Sequence, residues 1–230
     1  MKYSLTDELA LINRALLRPG KFFETVQMPG GYFQALKSMG LVLLIATILI
    51  FLATLVNLGA LEKQALAMQN YGLAQGPVPQ SPWNQMFFPV FWLLFTHIIG
   101  LMQHITMRVF GEKESSLAAT QAVALYAVIP LAVLTALTGI IGAFFPVMPG
   151  PDMNPQSYGF YLFLGLIVFA VGAGWDGVIS VLGFRRWYGQ NTGRALVAWF
   201  SPLVLCGFFC VGWIFLMAFV NVLGLWAGPT

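Results

Sequence analysis

Charge is what this sequence has least of. Only 8% of its 230 residues are Asp, Glu, Lys or Arg, against 59% that are hydrophobic, whereas a soluble domain carries roughly 25% charged residues. So few charges cannot cover a globular surface, which excludes a water-soluble domain and makes lipid the solvent. Cysteine is nearly absent too. Cys206 and Cys210 stand four apart in an apolar run, a spacing that fits neither a redox CxxC nor a zinc pair, and they read as small buried apolar side chains. The net charge of +3 is small and its basic residues are scattered, so nucleic acid is not an expected partner. Catalytic signatures are missing: there is no GxSxG, HExxH, Walker loop or paired carboxylates. An intramembrane protease needs a nucleophile or an acid pair, and Asp176 stands alone within the apolar runs. The reading is therefore of a non-enzyme that needs no cofactor. No cleavable signal peptide is visible, because the first long apolar run begins near Leu41.

What is present is a series of apolar segments of membrane length. A spanning helix needs roughly 20 residues, and five segments reach it: about 37–58, 86–108, 117–145, 159–183 and 195–226. The third and fifth contain Pro130 and Pro202, each able to kink or divide a helix. The expected fold is all-α: a polytopic transmembrane bundle of five spans with a short N-terminal amphipathic interfacial helix. That helix is read over Ser4 to Leu17, where Leu5, Leu9, Ile12 and Leu16 recur at helical spacing. Asp7 and Glu8 suit its positive dipole end, and Pro19-Gly20 ends it. Lys21 to Lys37 mixes lysine with aromatics as interfacial segments do. Residues 1–34 are thus expected to lie on the cytoplasmic membrane surface, and 35–228 to form the membrane domain.

Basic residues set the orientation. Lys2, Arg14, Arg18, Lys21 and Lys37 precede the first span, Arg108 and Lys113 lie between spans two and three, and Arg185, Arg186 and Arg194 lie between four and five. The other side holds only Lys63. The positive-inside rule then gives a cytoplasmic N-terminus and an external C-terminus. Arg185 and Arg186 are candidates for lipid headgroups. The two outer loops, about 59–84 and FPVMPGPDMNPQSYG, read as turn-rich connectors.

Shifting the chain by 72 residues lays spans two and three on four and five. Gly100 meets Gly172, Gly111 meets Gly183, Pro130 meets Pro202, and His104 meets Asp176. This would be a parallel repeat, although two Gly- and Leu-rich segments also match by chance. His97, His104 and Arg108 form a polar stripe on the second span, and Asp176 is the one acid inside a span. Two histidines about 10 Å apart along a helix axis do not chelate one metal ion. Either an interhelical pairing of His104 with Asp176, at hydrogen-bonding or one-water distance, or a proton or substrate pathway explains the cluster.

The residues then resemble a known family. RPGKFFETV ahead of the first span is similar to the Pro-x-x-Phe-Phe approach of bacterial Yip1-domain proteins. His104, Arg108 and Gly111, a short polar loop, and then Tyr126 and Pro130 match that family's most recognisable stretch. GQNTGRALVAWFSP, with Arg194 and Pro202, resembles its last inner loop and fifth span. The pattern departs at Glu112, where a second glycine is common. The resemblance implies a five-span bundle with a cytoplasmic N-terminus in a bacterial inner membrane. Eukaryotic members are linked to Rab GTPases and vesicle traffic, but this chain lacks their long cytosolic N-terminal region. Two functions are expected: a membrane-organising or trafficking-type scaffold, or a small transporter or lipid-moving protein using the stripe around His104 and Asp176. The expected partners are the lipid bilayer and either a membrane protein or a second copy.

Overall fold

A computed structural model describes residues 5–26, 31–59, 62–63, 66, 86–112, 116–144 and 155–222, with the side chains of 25, 155–162 and 208–222 outside the description. Most of the expected outer loops, Lys2, Lys113, the Cys210 side chain and the end of the fifth span therefore lie outside the described residues. The described residues form seven main helices: α1 Leu5–Leu17, α2 Pro19–Thr25, α3 Gly31–Val56, α4 Phe87–Val109, α5 Leu117–Phe144, α6 Pro155–Tyr188 and α7 Thr192–Val222. α3 to α6 are each long and apolar enough to cross a membrane, and α7 is apolar over its described half, Thr192–Gly207. The molecule is a five-span helical bundle.

Helix ends depart from hydropathy where local chemistry takes over. α3 begins at Gly31, inside the segment expected to lie flat, so Tyr32 and Phe33 are part of the spanning helix. Pro19 ends α1, as expected, and also opens the next helix. It occupies the first turn of α2, where a missing N–H costs nothing because that donor has no intrahelical acceptor. Gly111 closes α4 in the left-handed region at φ +86. Its N–H bonds to Arg108 O at 3.0 Å and the Glu112 N–H to Met107 O at 3.1 Å, the paired bonds of a Schellman end. The matching Gly183 does not end α6, which runs to Tyr188 and is followed by Gly189 at φ +63. Ser116 caps α5 by accepting from Ala119 N at 3.1 Å, and Asn191 caps α7 by accepting from Arg194 N at 2.9 Å.

Pro130 and Pro202 lie inside unbroken helices. Pro202 cannot donate to Ala198 O, four residues back. The Ser201 hydroxyl donates to that carbonyl instead, at 2.8 Å.

α5 is the centre of the assembly. Every residue from Ala119 to Pro130 is buried, and α3, α4 and α6 all pack on it. Its alanines at 119, 122, 124, 127, 132 and 136 allow that approach, since helix association in lipid relies on close packing. α7 bridges α4 and α6, so α4, α5, α6 and α7 make a closed circuit with α3 outside it. Lipid-facing surfaces carry exposed large residues such as Leu49 and Leu52 on α3 and Phe91 and Leu94 on α4.

The circuit argues against a simple internal repeat. Gly100 and Gly172 both pack on α5: an added Cβ would stand 3.2 Å from Ala124 Cβ in the first case and 3.2 Å from Leu131 Cα in the second. Two equivalent hairpins would each use their own second helix.

Candidate functional site

The N-terminal helices are built into the bundle. Phe22 is fully buried and meets Tyr126 of α5 edge-on at 4.6 Å, and Phe23 meets Trp187 of α6 at 5.2 Å. These are the aromatics of the RPGKFFETV stretch. α1 turns Glu8 inward, where the residue is 4% exposed. Its carboxylate accepts from Lys37 Nζ at 3.0 Å, Gln34 Nε2 at 2.7 and 2.8 Å, and Ser38 Oγ at 3.2 Å. Burial pushes this carboxyl up, but the bonds from Lys37, Gln34 and Ser38 and the Lys37 charge outweigh it and hold it below its ordinary 4.5. Sequence reading assigned Glu8 only to the helix dipole and missed this cluster. The available signal was Gln34, Lys37 and Ser38 at i, i+3 and i+4, which share one face of a helix.

A polar seam runs from this end into the bundle. His97 donates from Nδ1 to Leu93 O at 2.6 Å, which leaves Nε2 to accept from the Tyr32 hydroxyl at 3.0 Å. The His97 carbonyl accepts from Gln121 Nε2 at 2.9 Å. Gly100 makes room for that amide, because a Cβ there would stand 2.6 Å from Gln121 Oε1. His104 Nδ1 meets Thr120 Oγ1 at 3.3 Å, and Thr120 meets the Tyr188 hydroxyl at 3.0 Å. Tyr188 also donates to Ser116 O at 3.0 Å, and Gln190 donates to Glu112. α4, α5 and α6 are thereby tied together at one end.

Asp176 belongs to a different contact. Its Oδ2 accepts from Trp199 Nε1 at 2.7 Å, joining α6 to α7. Gly177 permits the approach, since a Cβ there would lie 2.9 Å from the Trp199 ring, whereas Gly174 faces open space. No hydrogen bond or ion pair joins His104 to Asp176 among the described residues. Equal depth brought them together in sequence, but their helices are not principal neighbours. α4 packs on α5 and α7, α6 packs on the same two, and each polar group bonds to the helix it faces. The polar stripe itself is split: His97 and His104 make separate bonds, and Arg108 is exposed at the helix end.

The remaining motif residues are structural in position. Gly111 is the α4 cap, Tyr126 and Pro130 are buried in α5, and Pro202 is buried in α7. Arg185, Arg186 and Arg194 are exposed at the same end as the caps. Arg185 and Arg186 line a cavity of about 470 Å³ with Gly20, Glu24, Leu182, Gly189 and Gln190. A second groove of about 450 Å³ lies between Thr106 of α4 and the Leu196 to Leu205 stretch of α7. No group of three or more His, Cys, Asp or Glu that could hold a metal occurs among the described residues.

Five apolar helices, a buried small-residue centre and polar side chains bonded within helices or across the seams between them define a multi-pass integral membrane protein. Within that class the identity is specific. The Yip1 domain matches residues 14–214, and the chain belongs to that family. No curated protein and no solved structure matches it. The match begins near the end of α1, so α2 lies within the family's own domain while most of α1, Glu8 included, precedes it.

Proposed function

We propose that this chain is a non-enzymatic membrane scaffold whose docked N-terminal helices and basic helix ends present a fixed surface to a partner. The observation that carries this reading is the inward-turned Glu8 with its three partners, Lys37, Gln34 and Ser38. A solvated tail has no reason to bury a carboxylate, whereas a rigid presentation surface does. In this reading the surface is cytoplasmic, the C-terminus is external, and the membrane is a bacterial inner membrane. The partner is a membrane protein or a second copy of the chain. Affinity purification from native membranes after cross-linking tests it. Repeated recovery of the same protein, or of a cross-linked dimer, supports the scaffold; recovery of the chain alone in every preparation rules it out.

The groove between α4 and α7 favours a second reading, a lipid-moving or transport protein. That groove is almost wholly apolar, yet Trp199 in its wall donates to Asp176. Reconstitution in liposomes with His104→Ala and Asp176→Asn variants decides it. Solute, proton or lipid flux no greater than that of empty vesicles rejects transport.

A further inference from the structure

The cavity at the end of α6 holds opposite charges that do not pair with each other. Arg185, Arg186 and Glu24 all line it. No ion pair among the described residues joins Glu24 to Arg185 or Arg186, so neither guanidinium is neutralised by Glu24. A fourth group points the same way. Gln190 lines the cavity, is 8% exposed, and its Oε1 has no hydrogen-bond partner. Its amide orientation is fixed from the other side, because Nε2 donates to the Glu112 carboxylate, which can only accept. The free Gln190 oxygen therefore needs an N–H or O–H donor.

A ligand that satisfies this wall carries a phosphate for the two guanidinia and a donor-rich cation for Glu24 and Gln190. Arg is suited to phosphate oxygens through its planar fork. A primary ammonium supplies three donors, whereas a quaternary ammonium supplies none. We infer that the cavity between α2 and the end of α6 binds a phosphoethanolamine group, its phosphate on Arg185 and Arg186 and its amine on Glu24 and Gln190. The source is a bilayer phosphatidylethanolamine, because Leu182 and the arginines stand at the end of a spanning helix, where headgroups lie. An anionic glycerol headgroup matches the arginines but brings no ammonium to the Glu24 carboxylate. The assignment holds whether or not a protein partner exists.

Native mass spectrometry of the full chain, released from vesicles of phosphatidylethanolamine, phosphatidylglycerol and phosphatidylcholine in equal parts, tests this. Retained ethanolamine lipid is expected to exceed choline lipid by about tenfold, the scale of one charge-assisted hydrogen bond. All three charged residues are exposed, so substituting them leaves folding intact. Glu24→Gln is expected to abolish the preference for ethanolamine over glycerol lipid, and Arg185→Gln with Arg186→Gln to reduce retention of both. Equal retention of the three lipids, or an unchanged preference in Glu24→Gln, overturns the proposal. Competition by soluble O-phosphoethanolamine as effective as that by the lipid would reassign the site to a free ester and overturn the bilayer source.

Discussion

Asp176 and Trp199 form the polar contact between α6 and α7 at 2.7 Å, and its two halves are not equivalent. Trp199→Phe removes the one donor to this carboxylate among the described residues and strands its oxygen, at a cost of about 1–3 kcal/mol. Asp176→Asn keeps an acceptor for the indole and is expected to cost less. Thermal unfolding in detergent should therefore rank the midpoints wild type, then Asp176→Asn, then Trp199→Phe; the reverse order for the variants would mean the bond is not what holds the contact. Glu8 has a pH signature. Its folded pKa lies below the ordinary 4.5, so its contribution to docking is fully present above that value. It is lost as pH falls through the depressed value. Hydrogen exchange at residues 5–17, corrected for intrinsic rates, should show protection at neutral pH that fades below about pH 4.5, and no such fading in Glu8→Gln. The asymmetry of these two acids was only half legible. Asp176 could be seen as a lone acid in an apolar run, whereas Glu8 reads only as a helix-dipole residue beside Asp7, because a sequence fixes depth along a helix and not which neighbour lies across from it.

At the scale of elements, hydropathy located all five spans but not their ends. α3 starts at Gly31, and α6 runs to Tyr188 because Gly189 closes it. Average apolarity carries no information about a positive φ at Gly189. Pro19 shows the same limit, since proline stops one helix and starts the next with equal ease. The α1 and α2 layer makes a sharper prediction. Phe22 is fully buried against Tyr126 and Phe23, so Phe22→Ala should cost about 3–5 kcal/mol of local packing. Because the spans are held by separate contacts around α5, the expected consequence is release of the N-terminal segment while the bundle persists. Limited proteolysis should then cut Phe22→Ala within residues 5–26 at protease levels that leave the wild type intact. Loss of the whole bundle instead would show that docking and span assembly are one cooperative unit.

For the whole molecule, the circuit of α4 to α7 with α3 outside explains why the weak 72-residue correspondence does not describe the fold. Gly111 and Gly189, the two caps that do correspond, are separated by 189 − 111 = 78 residues, whereas Pro130 and Pro202 are 72 apart. Two similar hairpins of different phase therefore share α5 as a common wall. The family motif marks the parts that build this wall and its end: a cap at Gly111, buried Tyr126 and Pro130, and a polar seam from His104 to Tyr188. What the motif does not contain is a reactive constellation, and that is why the account rests on presentation of a surface rather than on chemistry. The most direct test is cross-linked affinity purification from native membranes of the wild type beside Phe22→Ala, with equal amounts of each chain inserted. The account predicts one recurrent partner, or a dimer, with the wild type and its loss when the N-terminal helices are released. Recovery that is the same for both chains would contradict it.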